Sequence, residues 1–165
     1  MTDDFYREDV MTLAAEVLEA AKAKGVMIVT AESCTGGLIF GALTAVAGSS
    51  SVAERAFVTY SNAAKMEVLG VPKAVLKEHG AVSDAAAAAM AEGAIANSRA
   101  QLAVAVTGVA GPGASGPKPE GMVSFAIADA SGATPHTMQF GALGRGAVRA
   151  ATVRHALEML KEALG

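Results

Sequence analysis

The sequence predicts an α/β fold: one three-layer α/β/α domain around a mixed, mostly parallel sheet of about five strands that includes one late hairpin. Short apolar runs at 26–31, 56–60 and 102–106 alternate with segments of helical spacing, the pattern of a sheet covered on both faces. Two later runs, Met122 to Ala128 and Thr134 to Phe140, flank the turn Asp129 to Gly132 and read as a hairpin. The apolar fraction is 52% but aromatics are only 4% and Trp is absent, so Ala, Val and Leu must fill the core by close packing. At 165 residues the chain fits a single domain, residues 1–165, with no internal repeat and no linker long enough to separate units.

The elements follow in order. Val10, Leu13, Ala14, Val17, Leu18 and Ala21 recur at helical spacing, and Gly25 ends that helix. Val26 to Ala31 is the first strand, closed by the polar group Glu32 to Gly37, and Leu38 to Val46 is the next helix. After the loop Gly48 to Ser51, Ala56 to Tyr60 reads as a second strand with Tyr60 at its end. Asn62 to Leu69 is a helix closed by Gly70, and a short one follows Pro72. Ser83 is placed to cap an Ala-rich helix over Asp84 to Asn97. Leu102 to Val106 is a buried-type strand that runs into a glycine-rich turn, Gly108 to Gly116, and the final helix spans Ala147 to Leu164.

Several function classes are disfavoured. The formal charge is −3 with no basic stretch, so nothing marks a surface for nucleic acid. Cys34 is the single cysteine, and no Cys/His cluster has zinc spacing, so neither an internal disulfide nor a zinc site is expected. The acidic start, Met1 to Asp9, lacks the pattern of a signal peptide, and no window reads as a membrane span. The expectation is a cytoplasmic protein acting on a small molecule, with Ala-rich helices able to pack against a second copy as a homo-oligomer, a dimer being favoured.

Three polar segments follow directly on apolar strands, and ligands of open α/β sheets sit outside the carboxyl ends of parallel strands. Ser33 lies between a strand and a helix start, where free N–H groups favour an anion or developing oxyanion, and Gly36 and Gly37 allow close approach. Alternatively, Ser33 or Thr35 is simply the cap of that helix. Tyr60 and Lys65 form the second segment. No histidine offers itself as a base for Ser33, and a partly buried lysine with its pKa pulled from about 10.4 toward 7–8 would serve, with Tyr60 relaying the proton or orienting the nucleophile. The plainer reading is a strand-end tyrosine and a solvated lysine. In the third segment, Thr107 to Pro112, the Thr107 hydroxyl and N–H groups can face a phosphate or ribose, without the Lys of a Walker loop. Arg145 and Arg149, four apart, could pair with a phosphate, or be surface residues. Cys34 is read as structural, and Glu32 either orients substrate or Lys65, or caps backbone N–H groups.

Together these segments resemble the CinA carboxy-terminal domain family, the nicotinamide-nucleotide amidases. The resemblance rests on Ala31-Glu32-Ser33-Cys34-Thr35-Gly36-Gly37, on Tyr60-Ser61-Asn62 with Lys65 and Leu69-Gly70-Val71, and on Gly80-Ala81-Val82-Ser83. It continues in Thr107-Gly108-Val109-Ala110-Gly111-Pro112 and in Lys118-Pro119 with Gly121, so it covers the chain from about Val10 onward. It implies hydrolysis of the carboxamide of nicotinamide mononucleotide to nicotinic acid mononucleotide and ammonia. It also implies Ser33 as nucleophile, activated by Tyr60 and Lys65, with no metal or organic cofactor. The substrate, a pyridine mononucleotide, would be held by Glu32, Cys34, Thr35, Gly36 and Gly37 around the nucleophile, by Thr107, Gly108, Ala110 and Gly111 in the turn, and by Arg145. By the same resemblance the chain looks like a stand-alone form of the domain. Two departures are expected to affect specificity: the stretch Gly113-Ala114-Ser115-Gly116-Pro117, and Glu120 where the family usually carries an aliphatic residue. The rival readings are a non-catalytic nucleotide-binding or regulatory module linked to competence or DNA damage, and a cysteine hydrolase using Cys34.

Overall fold

The first helix, α1 (Glu8–Lys24), forms where the periodicity places it, with acidic Glu8 and Asp9 in its first turn and Lys22 and Lys24 in its last. It stops at Gly25, whose left-handed φ of 64° lets its N–H close on the carbonyls of Ala21 and Lys22. The structure is a computed structural model that describes residues 3–165; Met1 and Thr2, at the head of the acidic amino terminus, lie outside the described residues.

The chain continues through β1 (Ile28–Glu32), α2 (Leu38–Thr44), β2 (Ala53–Val58), α3 (Asn62–Leu69), α4 (Lys73–His79) and α5 (Asp84–Ala96). Then come β3 (Leu102–Gly108), β4 (Met122–Asp129), β5 (Gly132–Gln139) and α6 (Arg145–Leu164). The five strands lie in the order β2-β1-β3-β4-β5. β1 pairs in parallel with β2 and β3, whereas the β3–β4 and β4–β5 pairs are antiparallel. Four strands therefore share one direction and only β4 opposes them, which is the mixed, mostly parallel sheet expected, hairpin included.

Strand parity divides the core. Ile28, Val104, Val106 and Phe125 point to the face covered by α1, α2 and α6. Val29, Ala31, Ala103, Ala105 and Ala126 point to the other, with Met90, Ala91 and Ala94 of α5. The alanines on both sides of that second interface let α5 lie close to the sheet. Its Gly93 is packed so tightly on the Leu69 carbonyl that a Cβ has no room there.

Several boundaries differ from expectation, and three of them bear on the site. β2 begins at Ala53 and ends at Val58, so Tyr60 lies beyond the strand rather than at its end. As an edge strand, β2 tolerates the charged pair Glu54 and Arg55, which hides its start from a reading based on apolar runs. β3 extends through Thr107 to Gly108, so Thr107 is a strand residue and the turn starts later. α6 starts at Arg145, which puts Arg145 and Arg149 on successive turns of one helix.

Candidate active site

Because β1, β2 and β3 are parallel, the segments that follow them emerge at one edge of the sheet. The chain leaves β1 for β2 on one side and later returns to β3 on the other, so the mouth of β1 is a topological switch point. A cavity of about 360 Å³ opens there. Ser33, Lys65 and Thr107 reach it from three different elements, with Tyr60, Gly111 and Arg145 at its border.

Lys65 is the buried amine at this cavity. Ser61 caps α3 by accepting from the Ala64 N–H at 3.0 Å, and the helix turned this way sends Lys65 inward from its first turn. The side chain is almost fully buried, at 1% exposure, which is exceptional for an ammonium. Its Nζ lies 2.9 Å from Ser33 Oγ, 2.8 Å from the Thr59 carbonyl and 3.2 Å from the Tyr60 carbonyl. Burial pulls its pKa from 10.5 down to about 8. In the neutral amine two N–H bonds can stay on the two carbonyls while the lone pair faces the Ser33 hydroxyl. Among the described residues no carboxylate is hydrogen-bonded to Nζ to hold it charged. Ser33 is itself buried, and its N–H is fixed on the Val106 carbonyl at 3.1 Å.

Tyr60 enters differently from the sequence expectation. Its carbonyl, not its hydroxyl, faces Lys65, and the Ser33 hydroxyl also points at that carbonyl at 3.4 Å. The ring is 62% exposed, and its hydroxyl accepts from Arg145 Nη2 at 2.9 Å. Arg145 Nη1 donates to the Gly111 carbonyl at 2.8 Å, so Tyr60, Arg145 and Gly111 form a bonded border to the cavity. The Thr107 hydroxyl donates to the Ala81 carbonyl at 2.8 Å, which leaves it free only to accept.

Glu32 is placed away from Lys65 by parity: as the last residue of β1 it shares a face with Ile28 and Thr30, while α3 covers the opposite face. Its carboxylate accepts from the hydroxyls of Thr30 (2.9 Å) and Thr35 (2.7 Å) and from the N–H groups of Ile39 (2.9 Å) and Phe40 (3.0 Å). Glu32 is thus the internal cap of α2, and Thr35, fully buried, leans on it. Gly36 and Gly37 take positive φ values of 59° and 104° to make the turn, but neither borders the cavity. Cys34 does border it, with its thiol pushed up to about 11 by burial. Such a thiol is not a ready nucleophile at neutral pH. Arg149 faces the back of the same turn, donating to the carbonyls of Cys34 and Thr35. Gly108 and Ala110 line the cavity with Gly111, and a Cβ at Gly108 would meet Val123 at 2.7 Å.

Asn62, Ala81 and Val82 also line the cavity and were not among the expected site residues. Each lies inside a motif that carried the family resemblance, the one signal that pointed to them. Among the described residues no cluster of three or more His, Cys, Asp or Glu is placed to share a metal ion. No helix among them is long and apolar enough to cross a membrane.

The sequence model of the CinA C-terminal domain matches residues 10–164. The chain belongs to this family. Nicotinamide-nucleotide amidohydrolase PncC of Escherichia coli is 44% identical over 161 residues, which span 97% of this chain and 95% of PncC. A CinA-like protein of Synechococcus is 46% identical over 158 residues, 94% of this chain but 38% of that longer protein. The crystal structure of competence/damage inducible protein CihA from Agrobacterium tumefaciens superposes with a TM-score of 0.93 at 50% identity, covering 98% of this chain and 99% of CihA. The chain therefore shares its fold with CihA and nearly its full length with a protein named as an amidohydrolase.

Proposed function

We propose that this CinA-family chain hydrolyses the carboxamide of nicotinamide mononucleotide to nicotinic acid mononucleotide and ammonia through a serine nucleophile. The observation that carries the reading is the buried Lys65 Nζ 2.9 Å from Ser33 Oγ with its pKa lowered to about 8. A similar protein that spans nearly the same length is named for this reaction.

In the proposed sequence, neutral Lys65 takes the Ser33 proton as Oγ bonds to the carboxamide carbon. The carbonyl oxygen becomes an oxyanion, met by N–H groups of the turn after Ser33. Lys65 then gives its proton to the departing nitrogen, the C–N bond breaks, and ammonia leaves a Ser33 ester. Water attacks that ester, its proton passing to Lys65 and then to Ser33 Oγ, and the acid departs. Tyr60 acts through its carbonyl, which orients Nζ, and its hydroxyl holds Arg145 at the border where a substrate phosphate would enter. No step draws on a metal.

The test is ammonia release from nicotinamide mononucleotide by wild type and Ser33→Ala, with and without a chelator. Wild type should release ammonia at a rate the chelator does not change, and Ser33→Ala should lose at least about 10³-fold in kcat while still binding nucleotide. Comparable turnover by Ser33→Ala sinks the covalent route. Nucleotide binding without ammonia release by wild type points instead to a binding module.

A further inference from the structure

The proposed chemistry leaves the partly buried Arg149 unused. Arg149, on the second turn of α6, is turned away from the cavity. Its Nε donates to the Cys34 carbonyl at 3.0 Å and its Nη2 to the Thr35 carbonyl at 3.3 Å. It lies over Gly36, where a Cβ would come within 3.7 Å of Nη2. The same turn is also held by Glu32, through the Thr35 hydroxyl and the N–H groups of Ile39 and Phe40 in α2. The turn that carries Ser33 is thus bonded by both a carboxylate and a guanidinium.

The hydrogen bonds of the turn show what this grip preserves. The Ser33 N–H is spent on Val106, the Gly36 N–H on the Ser33 carbonyl and the Leu38 N–H on the Thr35 carbonyl. Among the described residues the N–H groups of Cys34 and Thr35 have no protein acceptor outside their own residue. Those two amides adjoin the nucleophile, and buried N–H groups are rarely left over without a purpose. The Cys34 carbonyl that Arg149 holds shares its peptide plane with the Thr35 N–H. The Thr35 carbonyl shares its plane with the Gly36 N–H, which in turn holds the Ser33 carbonyl and with it the plane of the Cys34 N–H. The guanidinium thus sets one amide directly and the other through Gly36.

We propose that Arg149 is a positioning residue for the transition state: it holds the Ser33–Gly36 turn so that the N–H groups left over beside Ser33 meet the oxyanion. The inference rests on the serine amidase reading and deepens it. It differs from a role for Arg149 in binding substrate phosphate, because it acts through backbone and asks nothing of the bound ground state.

The test measures kcat and KM for ammonia release in Arg149→Gln and Arg149→Lys, and the rate at which a fluorophosphonate labels Ser33. In labelling, Oγ bonds to phosphorus, fluoride leaves, the proton passes to Lys65, and the phosphoryl oxygen occupies the oxyanion position. Loss of an oxyanion donor costs about 10²–10³ in kcat, so misdirecting donors through a lost neighbour should cost about 10- to 100-fold. Arg149→Gln should show that fall in kcat and in labelling rate, with KM changed by less than about three-fold. Arg149→Lys, which can hold one carbonyl at a time, should fall between. A raised KM with kcat retained, or wild-type rates in both assays, overturns the proposal. If Arg149→Gln does not fold, Arg149→Lys carries the test by the same criteria. If wild type labels at Ser33 but releases no ammonia, the substrate assignment fails and the labelling rates still decide the role of Arg149. Wild type that does not label at all removes both.

Discussion

A lysine in a protein interior is costly unless it can shed its charge, and Lys65 is 1% exposed with only two carbonyls and a hydroxyl for company. With its pKa at about 8, roughly a tenth of the molecules hold the neutral amine at pH 7. Since the neutral form is the proposed base, kcat/KM should rise about ten-fold between pH 7 and 9 and then level off. A flat profile over that range, measured with a substrate that does not titrate there, argues against Lys65 as the base. Stability carries the complementary sign. Between pH 8 and 10.5 the unfolded chain keeps a proton on Lys65 that the folded chain has released, so this residue makes folding more favourable as pH climbs through that window. The sequence located Ser33 and Lys65 because each stands just past an apolar run. It could not reveal that Tyr60 turns its carbonyl, not its hydroxyl, to Lys65, since a backbone contact leaves no mark in residue identity.

Between elements, the decisive device is the border that ties the turn after β3 to the start of α6. Glu120 accepts from the Gly113 N–H at 2.6 Å and from the Gly144 N–H at 2.9 Å, and these two bonds hold its carboxyl below the usual range. It also fills the space beside Gly111, where a Cβ would overlap its side chain. Arg145, next to Gly144, completes the tie by donating to the Gly111 carbonyl. Glu120→Leu keeps bulk but removes both bonds. It should loosen the border and raise KM about five-fold, with kcat changed less than two-fold. An unchanged KM in steady-state ammonia release means the border is held by Arg145 alone. Glu120 had been noted in the sequence as a departure from the family, but its two partners lie 7 and 24 residues away and nothing in the pattern joins them. Glu32 teaches the same lesson through parity. Proximity in sequence to Ser33 suggested a role beside Lys65, and a strand's alternation sends its carboxylate to the other face.

Across the molecule, the end of the sheet away from the first parallel pair is closed by a pair of histidines. His136 of β5 and His155 of α6 meet at 2.8 Å through their Nε2 atoms, packed around Phe125 with Phe140 at the side. One ring must donate and the other accept, so the contact does not survive a proton on both. Burial and the neighbouring His136 lower the pKa of His155 from 6.5, against a smaller opposing pull from Glu158 and Glu162. Its depressed value means that the unfolded chain takes up a proton on His155 before the folded one does. Stability should therefore fall as pH drops below 6.5, and His155→Phe should flatten that dependence of Tm between pH 5 and 7. An identical slope in the variant assigns the effect elsewhere. The fold itself was largely legible, because helical spacing and apolar strands alternate cleanly. The exceptions were β2, masked by the charges an edge strand accepts, and the histidine pair, 19 residues apart on elements whose contact only the sheet order brings about.

The opposed direction of β4 has one more consequence. Because β4 starts beside the end of β3 and runs back, its turn with β5 (Asp129 to Gly132) emerges at the edge of the sheet opposite the cavity. All four turn residues are exposed. That turn is therefore a natural handle: a fluorophore, an affinity tag or a link to a solid support fixed there stands a full strand's length from Ser33 and leaves the mouth of the cavity unobstructed.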